Sequence, residues 1–206
     1  MKQQNQNDEL YKLFGQFLIN FEYVSHLMRF GILRFIFPDN DARQTRQNEI
    51  LMEALTADQI RNKFMALIAE DFKSNTEIFK LSKSISNIYQ RLIPIRNSFA
   101  HGTSFVGEGS LVKDSKNGQI ILRHPKLKSE GLDLNFKTID INALKLGIEL
   151  FEKLRYAVGV VTITIQNKQK GKEDSGTYNS ERHLELTRLG LERLEKKLNS
   201  ILKYFK

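Results

Sequence analysis

The chain has no cysteine and no tryptophan, and only 3 of its 206 residues are proline. The lack of Cys excludes a disulfide framework, a thiolate zinc site and a cysteine nucleophile. The polar residues 1–7 are not followed by the apolar core of a signal peptide. Charges interrupt every apolar cluster, so no membrane span is predicted. We therefore expect a cytoplasmic protein whose length suffices for one domain with its own hydrophobic core.

The charge balance is basic, with 32 Lys and Arg against 24 Asp and Glu and a formal net charge of +8. Half of this excess lies in residues 167–206, and a second group of cations lies between residues 113 and 128. A positive surface favours an anionic partner such as nucleic acid. Neither stretch is a continuous basic run, so an ordinary solvated surface and a functional patch both stay open.

The first half of the chain has the pattern of a helical bundle. Apolar residues recur at steps of three and four over residues 8–37, which predicts one long helix that ends at Pro38. A weakly helical stretch follows, and then Thr56 and Gln59 are spaced as a capping box at the start of another helix. A further helix is predicted over residues 74–101, with a kink or a restart at Pro94 and a stop at Gly102.

A β insertion is predicted over residues 103–138. Asn117-Gly118 lies between two short apolar bursts, which indicates a hairpin of Ser110–Lys113 with Gln119–Leu122, and Leu132–Phe136 alternates like a third strand. Helical spacing returns at Asp140 and continues to about residue 165.

The resulting prediction is an all-α, up-and-down bundle of about four to six helices with a small β-hairpin insertion. The bundle covers residues 1–166, a polar linker covers 167–180, and a helix with near-heptad Leu spacing covers 181–206. A heptad seam packs either on its own bundle or against another chain, and the spacing does not choose between the two.

The candidate catalytic residues lie in one short segment, Arg96-Asn97-Ser98-Phe99-Ala100-His101-Gly102. In a regular helix Arg96 and His101 differ by about 140° around the axis, so they would not share one face. A helix that ends at Gly102 removes this difficulty, and so does a site built from two chains. The other three His residues have no second ligand at the spacing of a metal site, so no metal and no cofactor is predicted.

This string resembles the signature of the HEPN superfamily (higher eukaryotes and prokaryotes nucleotide-binding domains): an Arg, a polar residue, a few more residues and then a His near the end of a bundle helix. The order of elements over residues 8–165 also agrees with that family. The resemblance implies a homodimeric, metal-independent endoribonuclease in which two motif helices line one cleft. The RNA 2′-hydroxyl would attack and leave a cyclic phosphate. A toxin or antiviral defence effector, restrained by an antitoxin or another regulatory protein, is the role that the family suggests.

The resemblance assigns roles to individual residues. Arg96 would hold the scissile phosphate, His101 would transfer protons, and Asn97 would orient the substrate or His101, as suits a guanidinium, an imidazole and an amide. Glu22, a carboxylate on an apolar part of the first helix, either pairs with Arg96 in the core or faces solvent. RNA would be held by the basic segment, which we define as Lys113, Lys116, Arg123, Lys126 and Lys128.

Two other functions are compatible with the same residues. The first is a non-catalytic module that binds a nucleotide, RNA or a regulatory partner in the same cleft. The second is a structural dimer whose carboxy-terminal heptad helix recruits a partner.

Overall fold

The fold is known from a computed structural model. It describes residues 2–37, 42–74, 76–101, 103–106, 119–128, 131–169 and 181–202. In these ranges the chain forms six helices and three strands, in the order α1 (Lys2–Ile36), α2 (Ala42–Glu53), α3 (Ala57–Asp71), α4 (Glu77–His101), β1 (Thr103–Val106), β2 (Gln119–Lys128), β3 (Gly131–Asp140), α5 (Ile141–Gln169) and α6 (Glu181–Leu202). The predicted helical class is confirmed.

The core lies between α1 and α5, which form the most extensive helix–helix contact of the described chain. On α1 the buried side chains recur at helical spacing, as the sequence predicts: Leu10, Leu13, Phe17, Phe21, Val24 and Met28. Helices α3, α4 and α6 complete the bundle around this pair. The apolar face of α1 is therefore used along most of its length, and its polar face is left to line the surface.

The predicted capping box at the start of α3 is confirmed. The backbone N–H of Gln59 donates to Oγ1 of Thr56 at 3.3 Å, and the backbone N–H of Thr56 donates to Oε1 of Gln59 at 2.9 Å. These two bonds satisfy donors that the first turn of a helix otherwise leaves free. The cap fixes where α3 begins, directly after a short connection from α2.

Pro94 neither ends nor restarts its helix, because α4 continues from Glu77 to His101 with Pro94 inside it. The expected restart is therefore wrong. Pro94 has no N–H, so the carbonyl of Gln90 loses its helical partner. Both residues lie on the exposed side of α4, where water can bond to that carbonyl. The cost of an internal proline is lowest on such a face, and the packing of the rest of α4 holds the helix together.

The β insertion is a three-stranded antiparallel sheet with β2 in the centre, and the predicted pairing of 110–113 with 119–122 is wrong. The strand that pairs with the start of β2 is β1, with Thr103 opposite Arg123 and Val106 opposite Ile120. The other edge of β2 is occupied by β3, which contains the predicted third strand. Both edges are thus taken, and the segment 110–113, predicted to pair there, lies outside the described residues.

Helix α6 packs against α4 and α5, which settles how its heptad face is used within this chain. Leu184, Leu191 and Leu194 are buried. Arg188 extends from α6 to α4, where its Nε donates to Oε2 of Glu77 at 3.1 Å. Hydrogen bonds from Lys80 and Arg188 hold the pKa of Glu77 below its ordinary value. Helix α5 ends at Gln169, three residues beyond the predicted end of the bundle segment at 166.

A glycine on α5 allows the close approach of α1. A Cβ at Gly147 would lie 2.8 Å from the ring of Phe17, whereas a Cβ at Gly159 would meet nothing within 4 Å. We expect Gly147→Ala to lower the free energy of unfolding by roughly 1–3 kcal/mol, because the buried ring has to move. Gly159→Ala, the matched control on the same helix, should raise it by up to about 1 kcal/mol. Urea unfolding of both variants measures the difference, and equal effects would contradict this account of the helix contact.

Candidate functional site

Arg96 lies on the penultimate turn of α4 and faces α1. Its Nε and Nη2 donate to Oε1 of Glu22 at 3.0 and 2.6 Å. The predicted pairing of these two residues is thus present in the structure, but its expected position in the core is wrong. The side chain of Glu22 is 50% exposed and that of Arg96 is 31% exposed. The reason is geometric: Phe21 points into the core, and Glu22 follows it 100° further around the helix.

Asn97 belongs to the same cluster. Its Oδ1 accepts a hydrogen bond from Nη1 of Arg96 at 3.3 Å. Together, Glu22 and Asn97 therefore hold the guanidinium on three of its nitrogen atoms. The guanidinium carbon lies 5.9 Å from the centre of the Phe21 ring, so that ring also limits how Arg96 can move. Such a guanidinium is oriented before any ligand arrives.

Arg96, Asn97 and His101 all line one cleft of about 550 Å³ between α1, α4 and the connection from α2 to α3. His101 is the last residue of α4 and is exposed. One chain therefore brings Arg96 and His101 to the same cleft, although a regular helix places them about 140° apart. Ile93 and Asn97, which also line the cleft, lie at angles between those of Arg96 and His101, so the cleft covers this whole arc of α4. The contribution of a second chain stays a prediction.

One wall of the cleft rests on a packed aromatic pair, of which Phe21 lines the cleft. Phe21 stacks on the fully buried Tyr89, with 4.9 Å between ring centres and 15° between ring planes. The hydroxyl groups of Tyr89 and Ser25 share a hydrogen bond, and Ser25 also donates to the carbonyl oxygen of Phe21 at 2.9 Å. Ser25 and Phe21 line the cleft as well. The wall of the site is thus tied to the core by hydrogen bonds and ring contacts.

Burial raises the pKa of Tyr89 to about 12. The unfolded chain loses this proton near pH 10, whereas the folded chain keeps it until about pH 12. The free energy of unfolding should therefore be insensitive to this group below pH 10 and should fall between pH 10 and 12, by roughly 2–3 kcal/mol. Denaturant unfolding at pH 9 to 11.5 measures the fall. Tyr89→Phe should show a smaller fall over the same interval, and an unchanged profile in that variant would refute the assignment.

Sequence reasoning missed two residues that line the cleft, Arg29 and Glu53. Arg29 follows Glu22 by seven positions, or two helical turns, so both lie on one side of α1. That spacing is a signal present in the sequence. No such spacing points to Glu53, because this residue lies at the end of α2 rather than on α1.

The basic segment is only partly described. Lys113 and Lys116 lie outside the described residues, and Arg123, Lys126 and Lys128 belong to β2. The register places Arg123 opposite Thr103, two residues after His101. The backbone of the sheet thus starts next to the cleft, and the predicted RNA contacts of these cations stay a prediction.

Neither His26 nor His183 is among the residues that line the cleft. His26 is exposed on α1, His124 belongs to β2, and Nε2 of His183 lies 3.0 Å from the hydroxyl oxygen of Tyr156. Among the described residues, no three His, Asp or Glu side chains are grouped so that they could hold a metal ion. None of the helices in the described ranges combines the length and the apolar character needed to cross a membrane.

Comparison with known proteins adds no relative. No family model, no curated protein and no solved structure matches the chain. The similarity to the HEPN superfamily therefore rests on the motif residues and on the order of the helices.

Proposed function

We propose that this protein is a metal-independent endoribonuclease of the HEPN type that acts as a homodimer. The observation that carries the proposal is the joint position of Arg96, Asn97 and His101 in one cleft of about 550 Å³. A cleft of this volume can take a nucleotide-sized part of a substrate. A guanidinium, an amide and an imidazole together can bind a phosphodiester and move protons.

Arg96 would bind the scissile phosphate. Its contacts with Glu22 and Asn97 use one N–H on each of its three nitrogen atoms. A guanidinium has five N–H groups, so the remaining ones are free to donate to phosphate oxygens. Because Glu22 and Asn97 already orient the group, little reorganisation is needed when negative charge develops on the phosphate.

The reaction needs two proton transfers. The 2′-oxygen forms a bond to phosphorus and gives its proton to a base, while the bond to the 5′-oxygen breaks and that oxygen receives a proton. Of the residues described in the cleft, His101 is the one imidazole. A second imidazole would come from the other chain of the homodimer, so that one copy serves as the base and the other as the acid.

The test is cleavage of RNA in the presence of EDTA. We expect purified protein to cut an RNA oligonucleotide and to leave a 2′,3′-cyclic phosphate, which mass spectrometry identifies. An oligonucleotide of the same sequence with 2′-deoxy sugars is the matched control and should stay intact, because it has no attacking hydroxyl. Cleavage of both oligonucleotides, or of neither, would contradict the proposed chemistry. Toxicity on expression in a host cell, relieved by a cognate antitoxin, would support the role of a toxin or antiviral effector.

One observation favours the alternative of a non-catalytic binding module. The Glu22 carboxylate already neutralises much of the charge of Arg96. A neutralised guanidinium can still hold a nucleotide but stabilises less developing charge. In that case a nucleotide would raise the melting temperature of the protein while RNA stayed uncut.

A further inference from the structure

A second polar group of the cleft lies about two turns along α1 from the Glu22–Arg96 pair. Arg29 is seven residues from Glu22, a distance of about 10.5 Å along the helix axis. Both residues and Ser25 between them line the cleft. The cleft therefore has one end next to the motif residues of α4 and another end next to Arg29.

The hydrogen-bonding groups of the Arg29 guanidinium are only partly paired within the protein. Its Nη2 donates to the carbonyl oxygen of Leu55 at 3.3 Å, in the connection between α2 and α3. Its Nε is shielded from solvent and has no hydrogen-bond partner. A buried donor without a partner costs free energy, on the order of 1–3 kcal/mol. The N–H groups left for a ligand are therefore those on the two Nη atoms, of which Nη2 already donates one to Leu55.

Glu53 supplies an acceptor at the same end of the cleft as Arg29. It ends α2, is exposed, and lines with Arg29 both the cleft and a smaller neighbouring cavity. Among the described residues, Glu53 forms no ion pair with Arg29 or with another cation. Asp58, the other carboxylate at this end, is by contrast held by Arg61 at 2.9 Å. Glu53 is therefore the carboxylate that stays free for a ligand.

We propose that Arg29 and Glu53 form a base-recognition subsite for guanine, next to the phosphate held by Arg96. This inference rests on the proposed ribonuclease function. Guanine presents two adjacent acceptors, O6 and N7, to a guanidinium, and its N1–H and N2 amine can donate to a carboxylate. A phosphate is less suited to this end of the cleft, because the carboxylate of Glu53, unpaired among the described residues, would repel it. The apolar side chains of Leu55 and Ile93 line the same cleft and offer contact to the faces of a base.

The experiment compares cleavage of RNA oligonucleotides that contain a single guanine, inosine or adenine next to the cut site. For wild type we expect kcat/KM to be roughly 10- to 100-fold higher with guanine than with adenine. Inosine, which lacks the N2 amine but keeps O6 and N7, should fall between them. In Arg29→Gln the preference for guanine over adenine should be lost, while cleavage next to adenine is retained.

Two further variants make the result interpretable. Glu53→Gln changes an exposed side chain, so it should fold normally, and it should abolish the difference between guanine and inosine. Arg91→Gln removes an arginine of α4 that pairs with Glu195 outside the cleft, and its base preference should equal that of wild type. A preference for guanine that survives in both Arg29→Gln and Glu53→Gln would overturn the subsite. If Arg29→Gln instead lost the same activity on all three oligonucleotides, Arg29 would be assigned to a phosphate contact. That result would also overturn the guanine subsite.

A binding measurement separates failure of the subsite from failure of the ribonuclease proposal. Thermal shift with GMP and AMP needs no cleavage. If wild type cuts no RNA but GMP stabilises it more than AMP does, and Arg29→Gln removes the difference, the subsite stands and the ribonuclease proposal fails. If wild type cuts RNA without any base preference and GMP and AMP stabilise it equally, the ribonuclease proposal stands and the subsite fails.

Discussion

His101→Ala is expected to lower the rate of RNA cleavage by about 10²- to 10⁴-fold, the usual contribution of a positioned acid or base. The expectation follows from the position of His101 at the end of α4, exposed and lining the same cleft as Arg96. Loss of the imidazole leaves Arg96 in place for its proposed contact with the phosphate. Binding of RNA should therefore be nearly unchanged, and the loss should appear in kcat. Single-turnover cleavage and fluorescence anisotropy measure the two quantities separately.

His26→Ala is the matched control for this substitution. His26 is also an exposed histidine of a helix, but it lines a different cavity from His101. Its cleavage rate should equal that of wild type. Full activity of folded His101→Ala protein, verified by circular dichroism, would remove the central residue from the proposed mechanism.

Arg96→Ala should give a different pattern, with weaker RNA binding as well as slower cleavage. This substitution also leaves Glu22 without its cation, so part of its effect is electrostatic repulsion of RNA. Arg96→Ala/Glu22→Gln removes that repulsion and should recover binding but not cleavage. The double variant thereby separates the charge of Glu22 from the contact that Arg96 makes.

The homodimer is tested by mixing chains. When wild type and His101→Ala are coexpressed with two different tags and the mixed dimer is purified, the proposed mechanism predicts little activity, because one imidazole cannot be both base and acid. A mixed dimer with half of the wild-type activity would show that each chain forms a complete site.

The second large effect concerns stability. Phe151→Ala is expected to lower the free energy of unfolding by about 3–5 kcal/mol. Phe151 is fully buried, and its ring packs edge-on against Phe17 at 4.9 Å and against Phe21 at 6.1 Å between ring centres. Its removal leaves a cavity in the contact between α1 and α5, and neither ring can fill that cavity without losing its other contacts. A typical domain is stable by only about 5–15 kcal/mol, so the loss would be a large fraction of the total.

Chemical denaturation of Phe151→Ala and Phe151→Leu gives the measurement. Leu keeps part of the buried volume, so its loss should be smaller than that of Ala. Lys153→Ala, an exposed position on the same helix, should change stability by no more than about 0.5 kcal/mol. A loss below 1 kcal/mol in Phe151→Ala would show that the α1–α5 contact is not the main core of the bundle.

Local patterns predicted much of the helical frame because the signals act within a few residues. The apolar spacing of α1 and the cap formed by Thr56 and Gln59 both appear in the structure as expected. The prediction of a restart at Pro94 was wrong, because the free-energy cost of a proline inside a helix depends on whether that face of the helix is exposed to water. The predicted pairing of 110–113 with 119–122 was wrong for a similar reason: a turn signal acts locally, whereas the two edges of β2 are occupied by β1 and β3.

The sequence by itself determined the helical class and the inner face of α1, and it singled out Arg96, Asn97 and His101 as candidate site residues. Each of these depends on residue type and on short spacing. Only the tertiary structure decided that Glu22 meets Arg96 on the wall of an open cleft, 74 positions apart in the chain. It also placed Glu53 in the same cleft as Arg29, although no spacing in the sequence relates these two residues. The physical reason is that cleft walls are formed by the packing of α1, α4 and the α2–α3 connection, and packing is decided by apolar faces rather than by the polar residues that it brings together.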